Sequence, residues 1–288
     1  MKKIAFIIII ALIVASCTIK KEGYGEILSN PTLEKLWETD SVLSDLESVE
    51  YDASKDLLYV SSINGHWLKP NGKGFISKVN LKGEVVNHKW IANIEGPTGL
   101  TLFKNRLFAA DFDKIIEVDV NNASIIKKHI VNGAERINDV TVSEDGTVYG
   151  SGTKSGKLFA LKKGKVTVVK SNLNWPNGLL VEGNHILIGL GDKSIQKFDL
   201  KTKSTSILTQ GISNPDGIVA IGNGDYLISS WEGMIHYVTK NGKKTLLLDT
   251  TKEGINAADI TYIPSKKMLL VPAMLKHKLI AYRLIDEK

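Results

Sequence analysis

Four side chains with oxygen donors recur at matching positions along the chain: Glu47, Asn138, Asn177 and Asp216. Each lies in a short phrase that opens a strand-like run after a turn, and the phrases read DLESVE, RINDVT, WPNGLL and NPDGIV. Carboxylate and amide oxygens are the ligands that Ca²⁺ prefers, and two carboxylates neutralise a divalent cation. Zinc fits poorly, because no His or Cys stands at these positions. These residue types predict a divalent metal site, with calcium as the favoured ion.

A second interpretation assigns the same residues to turns. Asn and Asp side chains often bond to the backbone two residues on, and Pro-Asn-Gly and Pro-Asp-Gly are ordinary turn sequences. This interpretation explains Asn177 and Asp216 well but explains Glu47 badly, since Glu rarely forms turns. Both interpretations stay open here.

Two further copies of the phrase, GPTGLT and NAADIT, place Thr98 and Ala258 in the same column. The column positions are about 40 residues apart, except for a first step of about 51, and a mostly β pattern with that period is typical of propellers. The predicted fold is all-β, a six-bladed β-propeller with four-stranded antiparallel blades. Equivalent positions in a closed ring face one axis, so the four oxygen-bearing side chains should converge.

The third repeat shows the plan of a blade. Strands are predicted at 139–142, 147–150, 157–161 and 166–169, separated by turns that include Asp145-Gly146. The last repeat, 259–284, holds only three strand-like runs. We predict that residues 33–39, with Leu36 and Trp37, supply its fourth strand and close the ring. The propeller domain is therefore 33–288.

The loop over residues 63–74 is the longest at the predicted mouth of the channel. Long loops over a site often act as lids, and His66 and Trp67 on this loop are predicted to contact the substrate. Simple surface variation is the alternative.

The first 16 residues resemble a bacterial lipoprotein signal. A basic start is followed by an apolar stretch too short to span a bilayer, and the segment ends at Cys17, the only cysteine. We predict lipid attachment at Cys17, a tether over 17–32, and membrane contact through the lipid; a plain secretory signal is the alternative. The exported side of the bacterial envelope is the predicted location. Thr18 resembles sorting patterns that favour the outer membrane.

The formal net charge is +6, and the Lys residues are spread over many turns. No basic run is interleaved with aromatic residues, so nucleic-acid binding has little support. We expect a monomer whose partner is a small molecule.

Taken together, LESVEYD, RIND, WPNGL and NPDG resemble the senescence marker protein/gluconolactonase family of regucalcin-like six-bladed propellers, over roughly residues 40–285. The resemblance implies a divalent metal on Glu47, Asn177 and Asp216, with Asn138 beside the metal or the substrate. Arg136 and Asn138 partly match the substrate-facing pattern of sugar lactonases. Val49, Glu50 and Pro176 depart from the family phrases.

The chemistry that the resemblance implies is metal-dependent hydrolysis of a lactone or related ester. Asp216 resembles the family's base and Asn177 assists as a catalytic residue, while His66 is an alternative base. Two other functions stay open. One is a non-catalytic binding propeller with a structural metal site, and the other is a different reaction in the same pocket, such as a strictosidine-synthase-like condensation.

Overall fold

A computed structural model describes residues 29–222 and 224–286. Strands dominate: 24 of them form six four-stranded antiparallel sheets. Short 3₁₀ turns at Pro264–Lys266 and Met274–Lys276 are the helical elements of the described ranges. The predicted six-bladed propeller is confirmed.

Each of the first three blades takes four consecutive strands. Blade 1 contains β2 (Leu46–Asp52), β3 (Leu57–Ser62), β4 (Gly74–Asn80) and β5 (Val85–Ile94). Blade 2 contains β6 (Pro97–Phe103), β7 (Arg106–Asp111), β8 (Lys114–Asp119) and β9 (Ser124–Ile130). Blade 3 contains β10 (Ile137–Val142), β11 (Val148–Gly152), β12 (Lys157–Lys162) and β13 (Lys165–Lys170). The strands predicted for the third repeat lie within two residues of these bounds.

The other three blades complete the ring. Blade 4 contains β14 (Leu179–Glu182), β15 (His185–Gly189), β16 (Ser194–Asp199) and β17 (Thr205–Gln210). Blade 5 contains β18 (Pro215–Gly222), β19 (Asp225–Ser230), β20 (Met234–Val238) and β21 (Lys244–Asp249). Blade 6 contains β22 (Thr261–Ile263), β23 (Met268–Ala273), β24 (Lys278–Asp286) and the N-terminal β1 (Pro31–Glu38).

Closure of the ring depends on β1, as the sequence predicts. It pairs antiparallel with β24, from Pro31 opposite Asp286 to Glu38 opposite Ile280. The strand begins at Pro31, two residues before the predicted boundary. The innermost strands of successive blades contact one another, and β22 returns to β2, so the sheet edges at the axis are covered.

Apolar side chains fill the spaces between adjacent blades. In blade 3, every residue of β11 is buried, whereas every residue of the outer strand β13 is exposed or half-buried. Between blades 6 and 1, Leu46 and Leu58 pack with Leu270 and Leu279. The inner strands carry the column residues, so this packing between blades holds those residues at the axis.

The predictions for the N-terminal segment fall mostly outside the described residues. They include the signal over residues 1–16, lipid attachment at Cys17 and most of the tether. Across the described ranges, no helix has the length and apolar character that crossing a membrane requires.

Candidate functional site

The column residues form the floor of a cavity of about 290 Å³ at one mouth of the channel. The floor is polar and consists of Glu47, Thr98, Asn138, Asn177 and Asp216. The wall above it is largely apolar and consists of Ile63, Trp67, Trp175, Leu190, Gly191, Asn214, Pro215, Trp231 and Met274. The structure thus brings the four predicted metal ligands, Glu47, Asn138, Asn177 and Asp216, to one place, as the repeat predicts.

In blades 1, 2, 3 and 5 a β-bulge at the start of the inner strand presents the column side chain to the axis, whereas Asn177 precedes β14, whose pairing has no such shift. In blade 1 the register shifts between Leu46 and Val49, so that Glu47 and Ser48 together oppose Ser61. The same shift occurs in blades 2, 3 and 5. An extra residue in one strand bends it and re-aims its side chains, which is why bulges are common beside functional sites.

Serine side chains of the second strand satisfy the backbone N–H groups that the bulges free. The N–H of Ser48 donates to Ser61 Oγ at 2.9 Å. In blade 3 the N–H of Asp139 donates to Ser151 Oγ at 3.0 Å, and in blade 5 the N–H of Gly217 donates to Ser229 Oγ at 2.7 Å. A buried, unpaired N–H is costly, so these serines stabilise the bulges that shape the floor.

Two oxygen atoms of the floor are buried and have no hydrogen-bond partner among the described residues: Glu47 Oε2 and Asn177 Oδ1. The amide of Asn177 is oriented by its other end, because Nδ2 donates to Asp216 Oδ1 at 3.2 Å. Buried acceptors without donors are rare in folded proteins. A cation would satisfy both atoms, so the donor set fits the predicted calcium ion.

The two floor carboxyls lie in an environment that disfavours negative charge. Burial raises the pKa of Glu47 well above its usual range, and the nearby Asp216 raises it further. Burial and then Asp259 raise the pKa of Asp216, while the Asn177 hydrogen bond opposes the shift. A divalent cation would reverse this preference, because it favours the ionised form of each carboxyl.

A second layer of polar groups lies one residue further along the inner strands and links neighbouring blades. Asp139 accepts hydrogen bonds from the N–H groups of Val140 and Leu179, both at 2.6 Å. Ser48 Oγ donates to Asp259 Oδ2 at 2.5 Å, and burial raises the pKa of Asp259 to about 7. The sequence analysis missed this layer, although Ser48, Asp139 and Asp259 directly follow column positions.

Arg136 is fully buried and does not line the cavity. Its guanidinium donates to the carbonyl of Gly96 at 3.2 and 3.3 Å and stacks on the Phe112 ring at 4.2 Å. Burial lowers its pKa to about 10, and Glu47 and Asp111 oppose that shift. The structure therefore places Arg136 where its charge acts on Glu47 from outside the cavity wall.

The long loop contributes Trp67 to the cavity but not His66. The ring of Trp67 meets that of Trp175 edge-on, with centroids 6.5 Å apart. His66 is exposed, and its Nδ1 accepts a hydrogen bond from the N–H of Leu68 at 3.1 Å. Two other loops at this mouth supply Trp231 and Met274, and Trp175 was overlooked even though it begins the phrase WPNGLL.

No group of three or more His, Cys, Asp or Glu side chains that could hold a metal lies within the described ranges. The candidate centre is of another composition, two carboxylates and two amides, which suits a hard cation. Thr98 and Ala258 occupy the column positions of blades 2 and 6 and complete the ring without charge.

No family model matches the chain, and no curated protein matches its sequence. Among solved structures it is similar to a streptogramin B lyase, with 14% identity and a TM-score of 0.66 over 91% of this chain and 100% of that one. It is also similar to virginiamycin B lyase from Staphylococcus aureus. A catalytically inactive variant of that lyase, solved with quinupristin, has 14% identity and a TM-score of 0.63, and a selenomethionine form has 12% and 0.62. Each covers 89% of this chain and 100% of the other. At this identity the likeness shows the six-bladed propeller fold alone.

Proposed function

We propose that the chain is a calcium-dependent hydrolase of a lactone or related ester, working at the channel mouth. The observation that carries the proposal is the pair of buried, unpartnered oxygens, Glu47 Oε2 and Asn177 Oδ1, on one floor with Asp216 and Asn138. The resemblance to the senescence marker protein/gluconolactonase family supports the same choice of residues and of chemistry.

Glu47, Asn138, Asn177 and Asp216 would hold the ion. When bound, it would supply Lewis-acid polarisation of the ester carbonyl. Asn177 fixes the orientation of Asp216 through the Nδ2 hydrogen bond, so that the second carboxylate oxygen can accept the proton of the attacking water. The largely apolar cavity wall surrounds the reacting group.

Hydrolysis adds water across the acyl C–O bond and gives a hydroxy acid. This product carries a new carboxylate next to Glu47 and Asp216. Among the described residues no Lys, Arg or His side chain lines the cavity to retain it.

A non-catalytic binding propeller is the second candidate. Its support comes from the position of His66, which is the alternative base but lies outside the cavity lining. Without His66, Asp216 is the base that the hydrolase proposal uses. A carboxylate that binds a metal is a weak base, and this favours the binding propeller. The largely apolar wall would suit a ligand that is bound and not converted.

Calcium binding is tested by thermal unfolding of metal-free protein with and without the ion. A ligand at about 100 times its Kd stabilises by about 2.7 kcal/mol, or roughly 5–10 °C in a domain of this size. We expect that rise for the wild type and none for Asp216→Ala. Asp145→Ala, which changes an exposed carboxylate paired with Lys162, should keep it. The same melting temperature for wild type with calcium and with chelator would contradict the proposed metal site.

Catalysis is tested with a panel of lactones and aryl esters. We expect calcium-dependent turnover that Asp216→Ala and Asn177→Ala lower by about 100-fold or more. Calcium stabilisation without turnover of any substrate would favour the binding propeller.

A further inference from the structure

The wall of the cavity is rich in tryptophan. The chain has five tryptophans, and three of them, Trp67, Trp175 and Trp231, line this one cavity. Trp175 is 48% exposed, so it does not serve the core between the blades. Large aromatic side chains left partly open to solvent mark sites of contact with a ligand.

Trp67 and Trp175 meet across the ring. The inner strands follow one another in order around the axis, so blades 1 and 4 are opposite. Trp67 comes from the long loop of blade 1, and Trp175 comes from the segment that enters blade 4. Their edge-on contact at 6.5 Å therefore bridges the mouth directly above the polar floor.

The backbone is adapted to hold this bridge. Trp175 has a φ of 48°, a conformation that is unfavourable for a residue with a large side chain. A Cβ on Gly191 would stand 2.8 Å from the Cβ of Trp175, so only glycine leaves room for it. In the long loop, the N–H of Gly65 donates to Asp45 Oδ2 at 3.0 Å, and Asn64 Nδ2 donates to the carbonyl of Lys73 at 2.9 Å. The strained backbone of Trp175 and the hydrogen bonds within the long loop indicate that the two tryptophans are held in fixed positions.

The wall offers little to a polyhydroxylated ligand. Above the floor its one amide side chain is Asn214, and Asn214 Nδ2 already donates to Glu232 Oε1 at 2.6 Å. The lining also has no side chain that would attract an anionic ligand, since none of the described residues that line the cavity is cationic. Leu68 and Leu275, which follow the wall residues Trp67 and Met274 in the chain, are 38% and 60% exposed.

We propose that the substrate is an uncharged lactone or ester with an apolar chain or ring, which lies between Trp67, Trp175 and Trp231 while the ester group meets the floor. Trp175 is the specificity-determining residue. The substrate class rests on the proposed hydrolase function, whereas the apolar binding does not. Sugar-derived lactones, which the family resemblance suggests, are poor ligands on this view.

The test uses six-membered lactones that differ only in their substituents: δ-valerolactone, δ-octalactone and δ-decalactone, with glucono-δ-lactone as the polar member. Binding is measured by isothermal titration calorimetry, and turnover by a pH-stat, on the full chain with calcium. Burial of one methylene changes affinity by about fourfold. Affinity should therefore rise steeply with chain length, and glucono-δ-lactone should bind weakest.

Trp175→Ala should lower the affinity for δ-decalactone by about tenfold and leave that for δ-valerolactone within about twofold. Trp67→Phe, which keeps an aromatic ring, should have a smaller effect. Ile207→Ala is the control, because Ile207 is an exposed apolar residue on the outer strand of the same blade. Thermal unfolding checks that each variant is folded.

The outcomes separate the two proposals. Affinity that rises with chain length and depends on Trp175, without turnover of any lactone, upholds the apolar class and removes the hydrolase. Turnover of all four lactones at similar rates, or an unchanged chain-length dependence in Trp175→Ala, overturns the apolar class and leaves the hydrolase standing. Tighter binding of glucono-δ-lactone also overturns it.

Discussion

Glu50 lies three residues beyond Glu47 on the same inner strand. It is half-buried, and its Oε1 accepts a hydrogen bond from the N–H of Leu102 at 3.2 Å. Burial, with a smaller contribution from Asp259 and Asp52, raises the pKa of Glu50 to about 8 against the opposing Leu102 bond. An ordinary Glu in the unfolded chain titrates at about 4.3, so folding favours the protonated form of Glu50.

This shift predicts a pH-dependent stability. For a carboxyl whose pKa is higher in the folded state, the stabilisation is complete below the unfolded pKa and is lost as pH rises through the folded pKa. Metal-free protein should therefore lose stability between about pH 4.3 and about pH 8. Glu50→Gln keeps the acceptor for Leu102 and should flatten that loss by on the order of 2 kcal/mol. Urea unfolding in chelator at pH 5, 7 and 9 measures the free energy of unfolding of both proteins. The same change with pH in wild type and variant would contradict the assignment of this loss to Glu50.

At the level of single residues, the sequence predicted part of the site. Glu47, Asn138, Asn177 and Asp216 were predictable because a repeat with a fixed period places equivalent positions at one axis. Arg136 was predicted to face the substrate because it partly matches the pattern of sugar lactonases, but its guanidinium is buried against Gly96 and Phe112. Trp175 was overlooked because the local sequence does not predict its left-handed backbone conformation or its contact with Trp67 of the opposite blade.

At the scale of the strand, the inner elements approach one another closely at the floor. A Cβ on Gly178 would lie 1.6 Å from the carbonyl oxygen of Asp216, and one on Gly217 would lie 2.3 Å from the N of Ile260. Both glycines follow a column residue. The phrases Pro-Asn-Gly and Pro-Asp-Gly therefore need glycine for packing between blades, which their use in turns alone would not explain.

Gly178→Ala should destabilise the protein by about 3 kcal/mol or more, because the obstructing atom belongs to the backbone and cannot turn aside. Gly150→Ala is the matched control in a second strand. There a new Cβ meets only side-chain atoms at 3.4 Å and beyond. The control should stay within about 1 kcal/mol of wild type. Chemical denaturation compares the two, and equal losses would refute the packing role of Gly178.

Strand positions were predictable to within about two residues, because alternating apolar runs and Asp-Gly or Asn-Gly turns mark them directly. The bulges were not predicted. They depend on Ser61, Ser151 and Ser229, which stand one strand away from the residues they support. Only the pairing register shows that these serines take the freed N–H groups.

At the scale of the whole molecule, ring closure joins the two ends of the described chain. Trp37 pairs with Ala281, and Glu38 forms ion pairs with Lys35 and Lys278. The three strand-like runs of the last repeat made this closure predictable, since a fourth strand had to come from elsewhere.

A chain that starts at residue 40 should lose the outer strand of blade 6 and expose the long edge of β24. We expect a loss of more than about 3 kcal/mol, or association through the exposed edge. A chain that starts at residue 29 is the control and should melt like the full-length protein. Thermal unfolding with size-exclusion chromatography compares them, and equal melting of both shortened chains would show that β1 is dispensable.

The pairing of β1 with β24 also sets an orientation. Glu38 lies at the end of blade 6 that bears the cavity, while Pro31 lies beside Asp286 at the other end, about 23 Å away at about 3.3 Å per strand residue. The described chain therefore begins, at Ser29 and Asn30 beside Asp286, on the face opposite the tryptophans. If Cys17 carries a lipid, the anchor joins the propeller at that face, and the cavity opens on the opposite one.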